Sequence, residues 1–192
     1  MRIVVFTNLS LDGVMQAPGR PDEDLRDGFE HGGWAVPYAA MSQAGASMAG
    51  MAGLLLGRRT YEDFHAVWPQ RKDSPFSAML DNMQKYVAST TLEAPLPWMN
   101  STLLPPDACD AVAELRAQPG GDLLIMGSGG LVQSLMRRDL IDLYVLMIHP
   151  LVLGPGRRLF SGDGPRAPLQ LVSSKATANG VVIATYEREK AS

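Results

Sequence analysis

Asp122-Leu123-Leu124-Ile125-Met126-Gly127-Ser128-Gly129-Gly130-Leu131-Val132-Gln133-Ser134-Leu135-Met136-Arg137-Arg138 is the stretch whose reading decides the fold. Leu123–Met126 is an apolar run without polar alternation, the pattern of a short strand covered on both faces. Gly127-Ser128-Gly129-Gly130 follows at once. Leu131, Val132, Leu135 and Met136 then fall on one helical stripe, and Arg137-Arg138 close it where cations suit the dipole. A glycine turn between a buried strand and a helix start lets backbone N–H groups approach an anion, so diphosphate is a natural ligand. The same turn also serves as a bare tight connection, and the turn by itself leaves both readings open. It is not the common dinucleotide fingerprint, which needs a third glycine where Val132 stands, nor a phosphate loop, since no Gly-Lys-Ser/Thr follows. A nucleotide held here needs help from elsewhere in the chain.

Working outward, the flanking segments alternate between strand and helix. Upstream, Arg2–Asn8 reads as a buried strand, Leu9–Glu30 as a long loop, Val36–Met51 as an Ala- and Met-rich helix, and Leu54–Gly57 as a second buried strand. Arg58 opens a helix broken by Pro69, and Ser74-Pro75 caps a short helix to about Asn82. Lys85–Thr90 is a third strand, Trp98–Leu103 a fourth at an edge, and Asp107 caps a helix to Ala117. Downstream, Ile141–His149 is a strand, and Leu169–Ser174 and Val181–Glu187 form a hairpin around Ala178-Asn179-Gly180. The expected fold class is α/β: a three-layer, mostly parallel central sheet with antiparallel C-terminal strands, in one domain spanning residues 1–192.

Composition removes several classes. A net charge of −3 gives no broad basic surface for nucleic acid. The one cysteine, Cys109, excludes an intrachain disulfide framework and sits between Asp107 and Asp110, which disfavour a thiolate. No signal peptide is evident behind Met1-Arg2, and the uncharged stretch Ala35–Leu56 is too rich in small residues for a membrane span, so a cytoplasmic location is expected. His31, His65 and His149 are too dispersed for a metal site.

Three strand ends are chemically equipped: Gly57-Arg58-Arg59-Thr60, Ser89-Thr90 and Gly127-Ser128-Gly129-Gly130. Open α/β sheets bind ligands outside the carboxyl ends of their strands, so these segments are expected to meet in one crevice suited to phosphate. Arg58 and Arg59 at a helix start oppose the dipole and want an anion.

With Ser10-Leu11-Asp12-Gly13, Leu55–Tyr61, Lys85–Ser89, Ile125–Leu131 and Pro150–Phe160 in this order, the sequence resembles the dihydrofolate-reductase fold. Within that fold it is similar to the family that includes the reductase domain of the bacterial riboflavin-pathway deaminase-reductase. The resemblance implies NADPH as cofactor. It places Arg58 at the 2′-phosphate and Thr60 near the diphosphate, with Gly57 and Arg59 among the cofactor-binding residues. Ser89 and Thr90 fall near the adenosine phosphate, and Gly127, Ser128, Gly129, Gly130 and Leu131 at the diphosphate. In folate reductases a cis peptide joins the first two residues of that turn, and Ser128 here replaces the second glycine.

Folate reductases also carry an acidic residue on their first long helix. Between Glu30 and Glu62 this chain has no Asp or Glu, and it has no companion zinc deaminase signature. The expected activity is a stand-alone NADPH-dependent reductase passing hydride to a C=N or C=O group of a small pteridine, pyrimidine or ribityl-type substrate, without efficient turnover of dihydrofolate. A catalytically silent NADP-binding or regulatory module is the alternative. Asp12 is the candidate acid, although Leu-Asp-Gly is equally good turn chemistry. Phe29 and Trp34 are candidate substrate-pocket residues, although buried aromatics commonly serve the core. The apolar run Leu143–Ile148 beside the C-terminal hairpin points to a homodimer.

Overall fold

A computed structural model describes residues 1–38, 50–160, 162, 164 and 166–189. One sheet of eight strands forms its centre: β1 (Ile3–Ser10), β2 (Met51–Gly57), β3 (Gln84–Ala88), β4 (Ser101–Leu103), β5 (Asp122–Met126), β6 (Leu143–His149), β7 (Leu169–Ala176) and β8 (Val182–Arg188). Their order across the sheet is β4-β3-β2-β5-β1-β6-β8-β7. Pairings from β4 through β6 are parallel, while β6–β8 and β8–β7 are antiparallel. The expected fold class is observed, and the parallel set gathers the carboxyl ends of β1 to β6 along one edge.

The apolar runs of β1, β2 and β5 are buried on both faces because helices cover each. Ile3, Val5, Leu55, Leu123 and Ile125 face α3 (Ala108–Ala117) and α4 (Gly129–Arg137), packing on Val112, Leu115, Val132 and Leu135. Val4, Phe6, Leu54, Leu56, Leu124 and Met126 face the other side, toward Tyr61 of α1 (Arg58–Val67) and Leu80 of α2 (Pro75–Asn82), together with Phe29 and Trp34. Period-two alternation divides each strand between two cores.

Several expectations shift at their boundaries. β1 continues to Ser10, and β2 begins at Met51 rather than Leu54. Gly50 takes φ +85°, ending any helix before it, so the expected helix Val36–Met51 does not reach Met51; the described part of it is a 3-10 turn at Val36–Tyr38, and residues 39–49 lie outside the described residues. Asp107 caps α3 by accepting from the backbone N–H groups of Cys109 and Asp110, as its sequence position predicts. Burial and Asp107 push the Cys109 thiol pKa up, so it stays protonated. The C-terminal hairpin is closed by Thr177 and Val181, with Gly180 alone at positive φ, so its turn is longer than a two-residue Asn-Gly connection.

Lys85 is fully buried, which its sequence does not announce. Its ammonium donates to the carbonyls of Leu80 (2.6 Å), Met83 (2.7 Å) and Asp81 (3.2 Å), capping α2, and lies 4.5 Å from the Trp98 ring centre. Burial lowers its pKa to about 8.

Candidate functional site

Three equipped strand ends lie on the same sheet edge, in the order Ser89-Thr90 after β3, Gly57–Thr60 after β2 and Gly127–Leu131 after β5. Ser128 joins the last two. It caps α4 in a left-handed conformation (φ 57°, ψ 46°), but its hydroxyl makes no bond to its own helix. Instead Oγ accepts from the Gly57 backbone N–H at 2.9 Å and donates to Thr60 Oγ1 at 2.9 Å. The turn after β5 is thereby locked to the start of α1. Neither helix has a side-chain cap bond or an acid in its first turn, so their free N–H groups remain available to an anion.

The surrounding glycines make room. A Cβ at Gly57 would lie 3.4 Å from Ser128 Oγ, and one at Gly129 would meet Met15 Sδ at 2.7 Å. At Gly130 nothing lies within 4 Å, so that backbone faces open space. Among the described residues the one cis peptide is Ala94–Pro95; the Gly127–Ser128 bond is trans.

Arg58 is half-exposed, with Glu62 its ion-pair partner at 3.8 Å, and Arg59 is exposed. A pair this long between solvated groups binds Arg58 weakly. Ser89 accepts from the Thr91 and Leu92 backbone N–H groups at 3.1 and 3.0 Å, which shapes the β3 loop, and Thr90 is exposed beside it.

Asp12 is bonded on both of its carboxylate oxygens. Its Oδ1 accepts from the Ser10 hydroxyl (2.6 Å) and the Leu153 N–H (3.1 Å), and its Oδ2 from the Gly154 N–H (2.8 Å) and Arg158 (3.3 Å). Arg158 also donates to the Asp12 and Gly154 carbonyls. These donors, the Ser10 hydroxyl foremost, hold the carboxyl well below the usual carboxylate range. Asp12 thus clasps the first loop to the Gly154–Arg158 loop.

Phe29 and Trp34 are core residues. Phe29 packs so closely on Gly156 that a Cβ there would lie 2.8 Å from its ring. Trp34 donates its indole N–H to the Gln16 carbonyl at 2.7 Å. Gln16, itself buried, donates to the Asp24 and Arg26 carbonyls and accepts from the Arg157 N–H. Glu23 secures the same loop by accepting from the Gly19 and Arg20 N–H groups, and Arg20 ties it to Asp63 on α1.

Next along the edge, a polar pair was not anticipated. His149, at the end of β6, is fully buried and bonded through Nε2 to Asn8 Oδ1 at 2.9 Å. The Trp34 and Tyr38 rings meet its imidazole edge-on, each 5.2 Å away. Burial lowers its pKa to about 4, so it is neutral at pH 7. Asn8 shares the face of Val4 and Phe6, and His149 that of Val145 and Met147; a polar residue ending each apolar alternation was the available signal. His31 is exposed and His65 stacks on Tyr61. Among the described residues no group of His, Cys, Asp and Glu could hold a metal, and no helix is long and apolar enough to cross a membrane.

Comparison with known proteins places this architecture. The chain is 27% identical over 140 residues to the uncharacterized protein YyaP of Bacillus subtilis, covering 69% of this chain and 72% of that protein. A crystal structure from Shewanella sp. PV-4, described as a candidate riboflavin biosynthesis protein, superposes with a TM-score of 0.69 at 24% identity, covering 99% of this chain and 100% of that one. Dihydrofolate reductase from Enterococcus faecalis, solved with NADP(H), gives a TM-score of 0.62 at 14% identity over 98% of this chain and 97% of that one. A pyrimidine reductase-like protein from Corynebacterium diphtheriae gives 0.58 at 14% identity over 99% and 92%. These likenesses establish a dihydrofolate-reductase-like fold. With the sequence profile of the RibD C-terminal domain matching residues 2–183, the chain belongs to the RibD C-terminal domain family.

Proposed function

We propose that this protein is a stand-alone reductase that binds NADPH along the carboxyl edge of its sheet and reduces a C=N or C=O group of a small molecule. The observation that carries the reading is the Ser128 junction, which fuses two uncapped helix N-termini into one open cradle at Gly130. The residues fit a dinucleotide phosphate. Backbone N–H groups of Gly129, Gly130 and Leu131 would hold the diphosphate, with Gly57 and Thr60 fixing the turn. Arg58, assisted by Arg59 and the Ser89 and Thr90 hydroxyls, would hold the 2′-phosphate. When bound, NADPH supplies the hydride. The chain's own part is to bind, orient and exclude water: Phe29 and Trp34 wall the crevice from within the core, and Asp12 pins the loop beside it.

Asp12 held as a clasp favours substrates needing little protonation help and keeps the silent NADP-binding module as a second reading. We read residues 1–192 as one cytoplasmic domain that works as a homodimer. Support for the dimer is the edge strand β7, exposed along nearly its whole length, with Leu171 and Val172 presented to solvent. Sedimentation at micromolar concentration tests it, and a monomeric mass refutes it.

NADPH titration followed through the fluorescence of Trp34, Trp68 and Trp98 tests the central reading. Saturable quenching by NADPH is expected, and none would overturn it. NADPH oxidation across a panel of pteridines, pyrimidines and carbonyl compounds then separates reductase from silent module.

A further inference from the structure

We propose that Asn8, held by His149, orients the nicotinamide ring by donating its side-chain N–H to the ring's carboxamide oxygen. The inference rests on the dinucleotide reading above and extends it to the reacting end of the cofactor, where no residue has been assigned.

The order of the strands carries it. Phosphate-binding groups occupy the ends of β3, β2 and β5 in spatial sequence, so an extended dinucleotide laid across them arrives next at β1. Adjacent strands lie about 4.8 Å apart, so β1 is the first support beyond the diphosphate turn. Phe6 pairs with Met126, the last residue of β5, and Asn8 stands two places further on the same face, level with the turn.

Asn8 is also chemically ready. It is half-buried near the carboxyl end of β1, and its Oδ1 is taken by His149 Nε2. An amide oxygen can only accept, so Nε2 carries the proton and Nδ1 is the bare nitrogen, buried without a partner among the described residues. A lone pair left unmatched is tolerated more readily than an unmatched N–H, which supports this tautomer. With its oxygen fixed, the Asn8 amide must turn Nδ2 the other way. Those N–H groups have no partner among the described residues. Trp34 and Tyr38, packed edge-on against the imidazole, hold His149 in place, so the orientation of Asn8 is set from the core outward. A neutral amide donor beside the ring matches a carbonyl oxygen and leaves the ring's charge undisturbed. His149 is a positioning residue in this arrangement, and Asn8 touches the cofactor.

The test compares NADP+ with 2′,5′-ADP, which shares the phosphates of the adenosine half and lacks nicotinamide. In protein labelled with 15N at asparagine, the Asn8 side-chain signals should move with NADP+ and stay in place with 2′,5′-ADP. Asn8→Ala should weaken NADP+ about tenfold, the scale of one hydrogen bond, and leave 2′,5′-ADP affinity unchanged. His149→Ala should reproduce most of that loss, and His149→Gln, whose amide can still donate to Asn8, should restore it. Saturable NADP+ binding with unmoved Asn8 signals overturns the proposal and spares the dinucleotide reading, as does equal weakening of both ligands in Asn8→Ala. Failure of both ligands to bind removes the dinucleotide reading and the proposal together.

Discussion

Replacing Asp12 by Asn separates a clasp from a catalytic acid. The variant keeps Oδ1, and with it the bonds from Ser10 and Leu153, but puts an NH2 group where Oδ2 meets the Gly154 N–H and Arg158. Loss of the charge-assisted Gly154 bond costs roughly 1.5–2 kcal/mol, and opposing donors now face each other. Arg158 is largely solvated and adds less than about 1 kcal/mol. The sum is about 2–3 kcal/mol, which at a urea slope near 2 kcal/mol/M lowers the midpoint by about 1–1.5 M with the slope unchanged. The pH dependence has a definite sign. The folded carboxyl titrates below its ordinary 3.8, so the stability it contributes is complete above that pH and is lost as pH falls through it. Urea unfolding at neutral pH and near pH 3 should therefore show a wild-type advantage that shrinks on acidification. NADPH affinity should change little. An unchanged or raised urea midpoint at pH 7, together with collapsed turnover, would refute the clasp and return Asp12 to the role of acid.

Other outcomes follow from the same structure. Arg58→Ala should cost roughly 1.5–3 kcal/mol of NADPH binding and much less of NADH binding, measured by titration of each; equal losses would remove Arg58 from the 2′-phosphate. Lys85→Met strips the cap from three carbonyls at the end of α2 and should destabilise the fold by about 3 kcal/mol in urea, whereas an unchanged midpoint would show that water caps the helix equally well. The unfolded imidazole of His149 binds its proton near 6.5 and the folded one near 4, so stability should fall on acidification across that window by about 3 kcal/mol, a decline that His149→Gln should flatten. With dihydrofolate as sole acceptor, catalytic efficiency should stay below about 10⁴ M⁻¹s⁻¹, since the first carboxylate after Glu30 is Glu62 on α1.

The fold was legible where periodicity is unambiguous. Leu123–Met126 and Leu54–Leu56 read as doubly covered strands because unbroken apolar runs have few other homes, and the parallel edge followed from the alternation with helices. Residue types at the strand ends were also readable; they lie on one edge of the sheet, where Ser128 joins the Gly57–Thr60 segment to the turn after β5. What could not be read is the use each polar group makes of its neighbours. Asp12 in Leu-Asp-Gly looks the same whether it faces a ligand or the N–H groups of Leu153 and Gly154, which lie far along the chain. Lys85 shows no sign of burial, because its partners are backbone carbonyls and every residue has one. His149 and Asn8 sit in separate strands, and only the β1–β6 register makes them partners.

Gln16 has a consequence for anyone wishing to rebuild this molecule. One amide serves the Asp24–Arg26 turn and the Arg157 loop, while the same residue's carbonyl receives Trp34. The Asp24–Arg26 turn, buried Trp34 and the Arg157 loop far along the chain thus behave as one part. Exchanging any one of them for the equivalent piece of a relative strands a buried donor or acceptor in the other two, so crevice walls should transplant as a set and fail piecemeal. Hydrogen exchange should reveal the same unity, with these segments opening together, and natural variation in one should be tolerated only where the others have changed to suit.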